Sequence, residues 1–136
     1  RGDPDLGVAA ERRSDELQDL VSDGPALIAA WGELMVEVAP RVSPILLLLR
    51  DVAAHDPSAS MLFAELETDR LTRMADNARA LDRLGALRRG VSRAAARDIM
   101  WTYTAPDLYD VLVRRRGWSV RRYARLVVEG MTAALL

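Results

Sequence analysis

The sequence predicts an all-α fold, a helical bundle of about six to seven helices, and three observations support this class. Apolar residues recur at intervals of three and four in several segments, as they do on the buried face of an amphipathic helix. Proline, glycine, serine and aspartate separate these segments, at positions typical of helix starts and stops. No segment has the strict alternation of a half-buried strand, and no Asn-Gly or Asp-Gly turn joins two β-rich runs.

The first half of the chain divides into short helices. Ser14, followed by two acidic residues, begins a predicted helix that Gly24 ends. Pro25 suits the first position of a second helix, and Pro40 is expected to end it, because proline cannot donate the internal hydrogen bond. Ser43-Pro44 then restarts the chain as cap and first residue. The stretch ILLLLRDVAA that follows is apolar on every side, which predicts the central helix of the bundle.

The second half contains the longest predicted helix and three shorter ones, approximately at residues 57–84, 92–103, 106–116 and 120–135. Gly85 and Gly117 are predicted stops, and Ser92 and Ser119 are predicted N-caps. Gly130 lies inside the last helix, where glycine costs roughly 1 kcal/mol relative to alanine. That cost suggests either a helix passing close by or a purely local packing role.

Composition and charge narrow the function classes. The chain has 136 residues and no cysteine, so disulfides and thiolate sites are excluded and a reducing, cytoplasmic location is expected. Residues 1–68 carry 5 arginines and 13 acidic residues, whereas residues 69–136 carry 14 and 7. A basic half is one mark of nucleic-acid binding, but an acidic half can equally pair with a basic half inside one fold.

The residues for catalysis are largely missing. His55 is the single histidine and lies at a helix junction, where a capping or surface role is the usual one. The glycine-rich phosphate and dinucleotide motifs and the Gly-x-Ser-x-Gly motif are absent, and an acidic cluster at residues 65–69 is typical of a solvated face. We therefore predict a protein that is not an enzyme, with neither a metal site nor a cofactor.

The last two helices carry more aromatic and aliphatic side chains than an edge pair needs. Tyrosine and tryptophan favour protein interfaces, because they bury large areas and keep a polar tip. Two such helices from each of two chains would form a four-helix bundle about a two-fold axis. The predicted homodimer interface consists of Trp101, Leu108, Tyr109, Leu112, Tyr123, Val127 and Met131.

Residues 96–136 resemble the C-terminal segment of the TetR/AcrR family of transcriptional regulators. The shared pattern is a tryptophan, then Thr-x-Pro-x-x-Tyr, then Arg-Gly-Trp-Ser and a tyrosine before a leucine-ended helix, here from Trp101 to Tyr123. Residues 38–70 look like the middle helices of the family, so the resemblance covers roughly residues 14–136. The helix-turn-helix of the family has no counterpart in this sequence, and residues 1–13 are interpreted as a lead-in from a missing DNA-binding domain.

The resemblance implies a homodimeric sensor domain of a transcriptional regulator, expected to be a repressor, which holds a small, mainly apolar effector and contacts operator DNA only through the missing domain. Candidate ligand-binding residues, chosen for helix position and adaptable shape, are Trp31, Met35, Leu49, Met61, Leu66 and Met74. Arg50, His55 and Arg70 are candidate polar contacts. Core packing is the competing interpretation of each apolar residue, and a helical dimerisation module with no ligand is the alternative function.

Overall fold

The computed structural model describes residues 12–13 and 23–136, and this part of the chain is helical without a strand. Four long helices and one short one follow each other in the order α1 (Gly24–Ala53), α2 (Pro57–Arg83), α3 (Arg93–Tyr103), α4 (Pro106–Tyr109) and α5 (Val120–Leu135). A π-helical turn, Asp110–Arg115, continues α4. The all-α prediction is confirmed. The predicted helix from Ser14 and the lead-in of residues 1–13 lie outside the described residues, except for residues 12 and 13.

The predicted break at Pro40 is wrong. Helix α1 runs for 30 residues and contains both Pro40 and Pro44, so Ser43 lies inside the helix instead of capping a new one. Each proline removes one intrahelical hydrogen bond and crowds the carbonyl group four residues earlier, at a cost of about 3 kcal/mol. Burial of the neighbouring Ala39, Leu46 and Leu47 offsets this cost, and the described chain therefore has five helices after residue 24 where six were expected.

The second half of α1 is not the central helix. Leu46 and Leu47 are buried, but Leu48 is 66 % exposed and Val52 is 44 % exposed. The apolar run thus has one face in the core and one face outside. The central position belongs to α5, whose Tyr123, Val127, Met131 and Leu135 are all at most 2 % exposed.

Most of the other predicted boundaries are confirmed. Asp56, Ser92 and Ser119 cap α2, α3 and α5, each accepting a hydrogen bond from a backbone N–H in the first turn of its helix. Gly85 follows the end of α2 with φ of 67°, and Gly117 precedes α5 with φ of 74°, a region that favours glycine. These caps and turns fold the helices back on one another.

Helix α5 packs between α1 and α3, and two glycines permit the close approach. A Cβ atom on Gly130 would lie 2.6 Å from Tyr103 Cζ of α3, so of the two explanations offered for this glycine the structure shows the close approach of a helix, here from the same chain. A Cβ atom on Gly32 of α1 would overlap Val128 Cγ2 of α5. The three helices α1, α3 and α5 therefore form one core, which α2 closes from the other side.

No helix in the described part of the chain combines the length and the apolar character needed to cross a bilayer.

Candidate ligand-binding cavity

A cavity of about 200 Å³ lies between α1 and α2, with side chains of α3 and α5 at its base. Its walls differ in chemistry. The α1 wall is mostly apolar and includes Trp31, Leu34, Met35, Val38, Val42 and Leu46. Apart from the adjacent Leu34 and Met35, successive positions are three or four residues apart, so they form one stripe along the helix. Met100, Tyr123 and Met131 close the base.

The α2 wall carries most of the polar groups. Arg70, Arg73, Met74 and Asn77 are spaced three, four and seven residues from the first, which places them on a single face of the helix. Arg70 and Asn77 are both 8 % exposed, an uncommon burial for such polar side chains. The cavity is therefore two-sided, with an apolar wall on α1 and a polar wall on α2.

Arg70 joins α2 to the end of α3. One Nη atom donates to the Trp101 carbonyl oxygen at 2.7 Å and to Thr104 Oγ1 at 3.0 Å. Its Nε and other Nη atoms donate to the two carboxylate oxygens of Glu67 at 3.3 and 3.2 Å. The guanidinium carbon also lies 4.8 Å from the centroid of the Trp101 ring. Arg70 is thus held on several sides, so its first role is to fix the polar wall.

Two hydroxyl groups complete the lining. Thr104 Oγ1 donates to the Met100 carbonyl oxygen at 2.7 Å and accepts from Arg70, so its orientation is fixed. Ser43 is 6 % exposed and lies on α1, one residue before Pro44. Ser43 thus adds a hydroxyl group to this mostly apolar wall.

The base of the cavity is electrically neutral. Burial raises the pKa of Tyr123 well above its ordinary range, with a further contribution from the neighbouring Tyr109. The two rings meet edge to face with centroids 5.5 Å apart. Tyr123 therefore stays protonated at neutral pH, and the charged side chains of the described lining are those of Arg70 and Arg73.

Three of the six predicted ligand-binding residues line the cavity: Trp31, Met35 and Met74. Leu49, Met61 and Leu66 do not. Met61 is 69 % exposed on the outer face of α2, and Leu49 and Leu66 are half-buried outside the lining. They were chosen for helix position and adaptable shape, but they lie on helix faces that point away from the cavity.

The predicted polar contacts divide in the same way. Arg70 lines the cavity, whereas the Arg50 guanidinium lies outside it and pairs with Asp107 at 3.0 Å. His55 is exposed in the turn between α1 and α2. It therefore has no part in the cavity.

Several lining residues were missed, and the predicted break at Pro40 explains part of the omission. The stripe from Trp31 through Met35 and Val38 continues to Val42 and Leu46 only if the helix runs on unbroken. On α2, Arg73 and Asn77 were not among the predicted ligand-binding residues. Their spacing of three residues from Arg70 and Met74, respectively, would have placed them on the same face of the helix.

The predicted dimer face is mostly occupied within the chain itself. Tyr123 and Val127 are 0 % exposed and Met131 is 2 % exposed, all packed against other helices of the same chain. Tyr109 is buried against Tyr123, and Trp101 lies beside Arg70. Leu108 and Leu112 are half-buried against the core. These side chains therefore do not form an open apolar stripe for a second copy, and the excess of rings is explained by the central position of α5.

The outer face of the last two helices is basic. Arg114, Arg115, Arg116, Arg121, Arg122 and Arg125 are all exposed there. Arg122 stacks on Trp118 with its guanidinium carbon 3.8 Å from the ring centroid, and Arg121 reaches Glu33 of α1 at 3.6 Å.

Comparison of the chain with protein-family models, with curated proteins and with solved structures finds no match in any of the three. Function is therefore inferred from the cavity itself.

Proposed function

We propose that this chain is a small-molecule-binding domain, and that it serves as the effector-sensing part of a transcriptional regulator of the TetR/AcrR type. The observation that carries the proposal is the two-sided cavity between α1 and α2, with Trp31 and Met35 on one wall and Arg70 and Asn77 on the other. Ligand sites are concave, mostly apolar and equipped with a few placed polar groups. Burying polar side chains costs free energy, so a core formed only for stability is expected to place apolar residues at the edge of a void.

The lining is suited to a variable apolar ligand. Met35, Met74, Met100 and Met131 all border the cavity, and methionine side chains adapt their shape at little cost. The volume of about 200 Å³ is below the roughly 300–1,000 Å³ common for drug-sized ligands. We therefore expect an effector smaller than a typical drug-sized ligand.

Four helices border the cavity, so a bound ligand can change how these helices are arranged relative to one another. A ligand that touches α1, α2, α3 and α5 favours the arrangement of these helices that fits it best. In the proposed regulator this shift changes the geometry of the assembled protein and thereby the affinity for operator DNA. DNA contact would belong to a helix-turn-helix outside this sequence.

Homodimerisation is a separate part of the proposal and has narrower support. Val111, in the π-helical turn, is 46 % exposed, and Leu126, on α5, is 37 % exposed. They are the large apolar side chains that the last two helices leave outside. If the chain dimerises through these helices, V111D and L126D should each convert the dimer to a monomer in light scattering. A monomeric unmodified chain at micromolar concentration would remove this part of the proposal and leave ligand binding intact.

The alternative function, a helical module with no ligand, predicts that the void is only imperfect packing. A filling variant tests this. V42W places a large ring on the cavity wall, and V52W places the same ring on the exposed outer face of α1 as a matched control. We expect 1-decanol to quench tryptophan fluorescence and to raise the melting temperature of the unmodified chain. V42W should weaken decanol binding at least tenfold, whereas V52W should change it less than twofold.

Trp31→Phe gives the second readout. Because Trp31 lines the cavity, whereas Trp101 packs on Arg70 outside the lining and Trp118 lies on the arginine-rich face, the loss of Trp31 should reduce the quenching but leave the shift in melting temperature. If decanol binds equally to V42W and V52W, the cavity is not the binding site and the ligand-free alternative is preferred.

A further inference from the structure

We infer that the effector carries a hydrogen-bond acceptor, a carbonyl or ether oxygen, that receives the indole N–H of Trp31 on the α1 wall. This inference rests on the proposed ligand-binding function and names the class of ligand. The class is a mainly apolar molecule with an acceptor oxygen, for which no charge is needed.

Trp31 is a buried residue with an unsatisfied donor. The residue is 5 % exposed and lines the cavity from the α1 wall. Its indole Nε1 atom is buried without a hydrogen-bond partner among the described residues. A tryptophan N–H donates a hydrogen bond and accepts none, and it usually finds a partner when the ring is buried. An unpaired donor in the interior lowers stability, so a ligand that brings an acceptor to Trp31 binds more tightly than the same ligand without one.

The unsatisfied donor and the cavity coincide at this one tryptophan. In the part of the chain that the structure describes, the buried side-chain nitrogen atoms without a hydrogen-bond partner are Arg13 Nε, Trp31 Nε1 and Trp101 Nε1. Arg13 and Trp101 do not belong to the described lining, and the guanidinium group of Arg13 pairs with Glu37 through a different nitrogen. Trp31 is therefore the lining residue at which a ligand can complete a hydrogen bond that the described chain leaves open.

The polar side chains of the α2 wall are engaged within the protein. Arg70 donates to Glu67 and to Thr104 Oγ1. Arg73 and Asn77 also have interactions of their own, so neither of them is free. These groups make the α2 wall polar, but the hydrogen bond expected from the ligand does not depend on them.

The lining has a side chain that can yield to the ligand. Trp31 Nε1 is covered by neighbouring atoms, so an acceptor reaches it only when a side chain of the lining moves aside. Met35 offers such a side chain, because it lies one helical turn from Trp31 on the same face of α1 and is half-buried. Methionine is unbranched and changes its shape at little cost. The effector therefore exchanges a flexible apolar contact for a directed hydrogen bond.

The test uses two ligands of nearly the same shape. Cyclooctanone has a carbonyl oxygen where methylenecyclooctane has a CH₂ group, so only the ketone accepts a hydrogen bond. Both are titrated by calorimetry into the unmodified chain and into two variants. Trp31→Phe removes the N–H but keeps an aromatic ring. Trp101→Phe is the matched control, because its Nε1 is also buried without a partner in the described chain but lies outside the lining.

The ratio of the two affinities isolates the hydrogen bond, because both ligands share the loss of apolar contact when the ring becomes smaller. Trp31→Phe should lower the ratio of ketone affinity to alkene affinity at least fivefold. Trp101→Phe should leave this ratio within twofold of the value for the unmodified chain.

The indole N–H signals in nuclear magnetic resonance spectra give a direct readout. The chain has three tryptophans, and the spectrum of Trp31→Phe shows which of the three signals belongs to Trp31. We expect cyclooctanone to move this signal downfield, as a new hydrogen bond to the N–H proton does, and methylenecyclooctane to cause no such shift. If Trp31→Phe does not fold, Trp101→Phe and Trp118→Phe assign the other two signals, and the shift of the third decides.

Two results would contradict the hydrogen bond to Trp31: an unchanged affinity ratio in Trp31→Phe, or a ketone that binds without moving the Trp31 indole signal downfield. The proposed function would stand in that case, because decanol binding and its loss in V42W are measured independently. If neither of the two ligands nor 1-decanol binds, the proposed function itself fails.

Discussion

The contact between Gly32 of α1 and Val128 of α5 provides a sharp test of how the last helix packs. At an open position inside a helix, replacing glycine by alanine stabilises a protein by roughly 0.8–1.0 kcal/mol. At Gly32 the new Cβ atom would overlap Val128 Cγ2, well inside the roughly 3.5–4.0 Å at which two carbon atoms pack. The sign of the effect therefore depends on whether α5 lies against α1 in the same chain.

The magnitude follows from two opposing terms. Overpacking of a well-packed interior costs about 1–3 kcal/mol, and Val128 cannot simply turn aside because a β-branched side chain in a helix strongly prefers one χ1 rotamer. After subtraction of the helix-propensity gain, Gly32→Ala should lower the free energy of unfolding by up to about 2 kcal/mol. In a Val128→Ala background the overlap disappears, and the same substitution should raise the free energy of unfolding by about 1 kcal/mol.

The assay is a double-mutant cycle measured by chemical denaturation and circular dichroism. Ala29→Gly, at an exposed position of the same helix, calibrates the propensity term and should cost about 1 kcal/mol. The expected coupling energy between Gly32→Ala and Val128→Ala is about 1–3 kcal/mol. If Gly32→Ala stabilises the protein equally in both backgrounds, α5 does not pack on α1 as described here.

Three further predictions concern the polar network, the buried tyrosine and a helix cap. Arg70→Met should lower the free energy of unfolding by about 2–3 kcal/mol, because it strands Glu67 and the Trp101 carbonyl group, and the double variant with Glu67→Met should recover part of this loss in the same denaturation assay. Burial raises the pKa of Tyr123 in the folded state, so the unfolded chain releases this proton first, above about pH 10. The free energy of unfolding should therefore fall as the pH rises from about 10 through the folded pKa, by at most about 1.4 kcal/mol per pH unit. Tyr123→Phe should flatten this alkaline slope in a pH series of denaturation curves, and an unchanged slope would show that another group is responsible. Ser119→Ala should cost about 1 kcal/mol, since Ser119 Oγ accepts from the Arg122 backbone N–H at 3.1 Å, and a loss under 0.3 kcal/mol would mean that water replaces the cap.

Local chemistry determined the helical class and most of the boundaries of this protein. Asp56, Ser92 and Ser119 act as caps because a short polar side chain can accept a hydrogen bond from an otherwise unpaired N–H of the first turn. Gly85 and Gly117 end their segments in a conformation that side chains disfavour. These effects depend on a few neighbouring residues, so they can be predicted from a sequence alone.

The continuity of α1 was decided by the tertiary structure. Pro40 and Pro44 favour a break locally, but burial of Ala39, Leu46 and Leu47 against other helices offsets the lost hydrogen bonds. The consequence reaches the cavity, because the apolar wall includes Val42 and Leu46 only when the helix is unbroken. Trp31, Met35 and Met74 were predicted as ligand-binding residues and line this cavity, while the missed positions depended on the register beyond Pro40.

The tertiary structure also decided what covers the apolar face of α5. The periodicity of Tyr123, Val127 and Met131 shows that α5 buries one face, but it is the same whether a second copy or the remainder of the chain covers that face. Gly32 and Gly130 let α1 and α3 approach closely enough to cover it from within. The sequence determined which side chains are buried, and the packing of helices distant in the chain determined which residues they contact. The physical reason is that the hydrophobic effect stabilises any apolar contact and does not specify the partner.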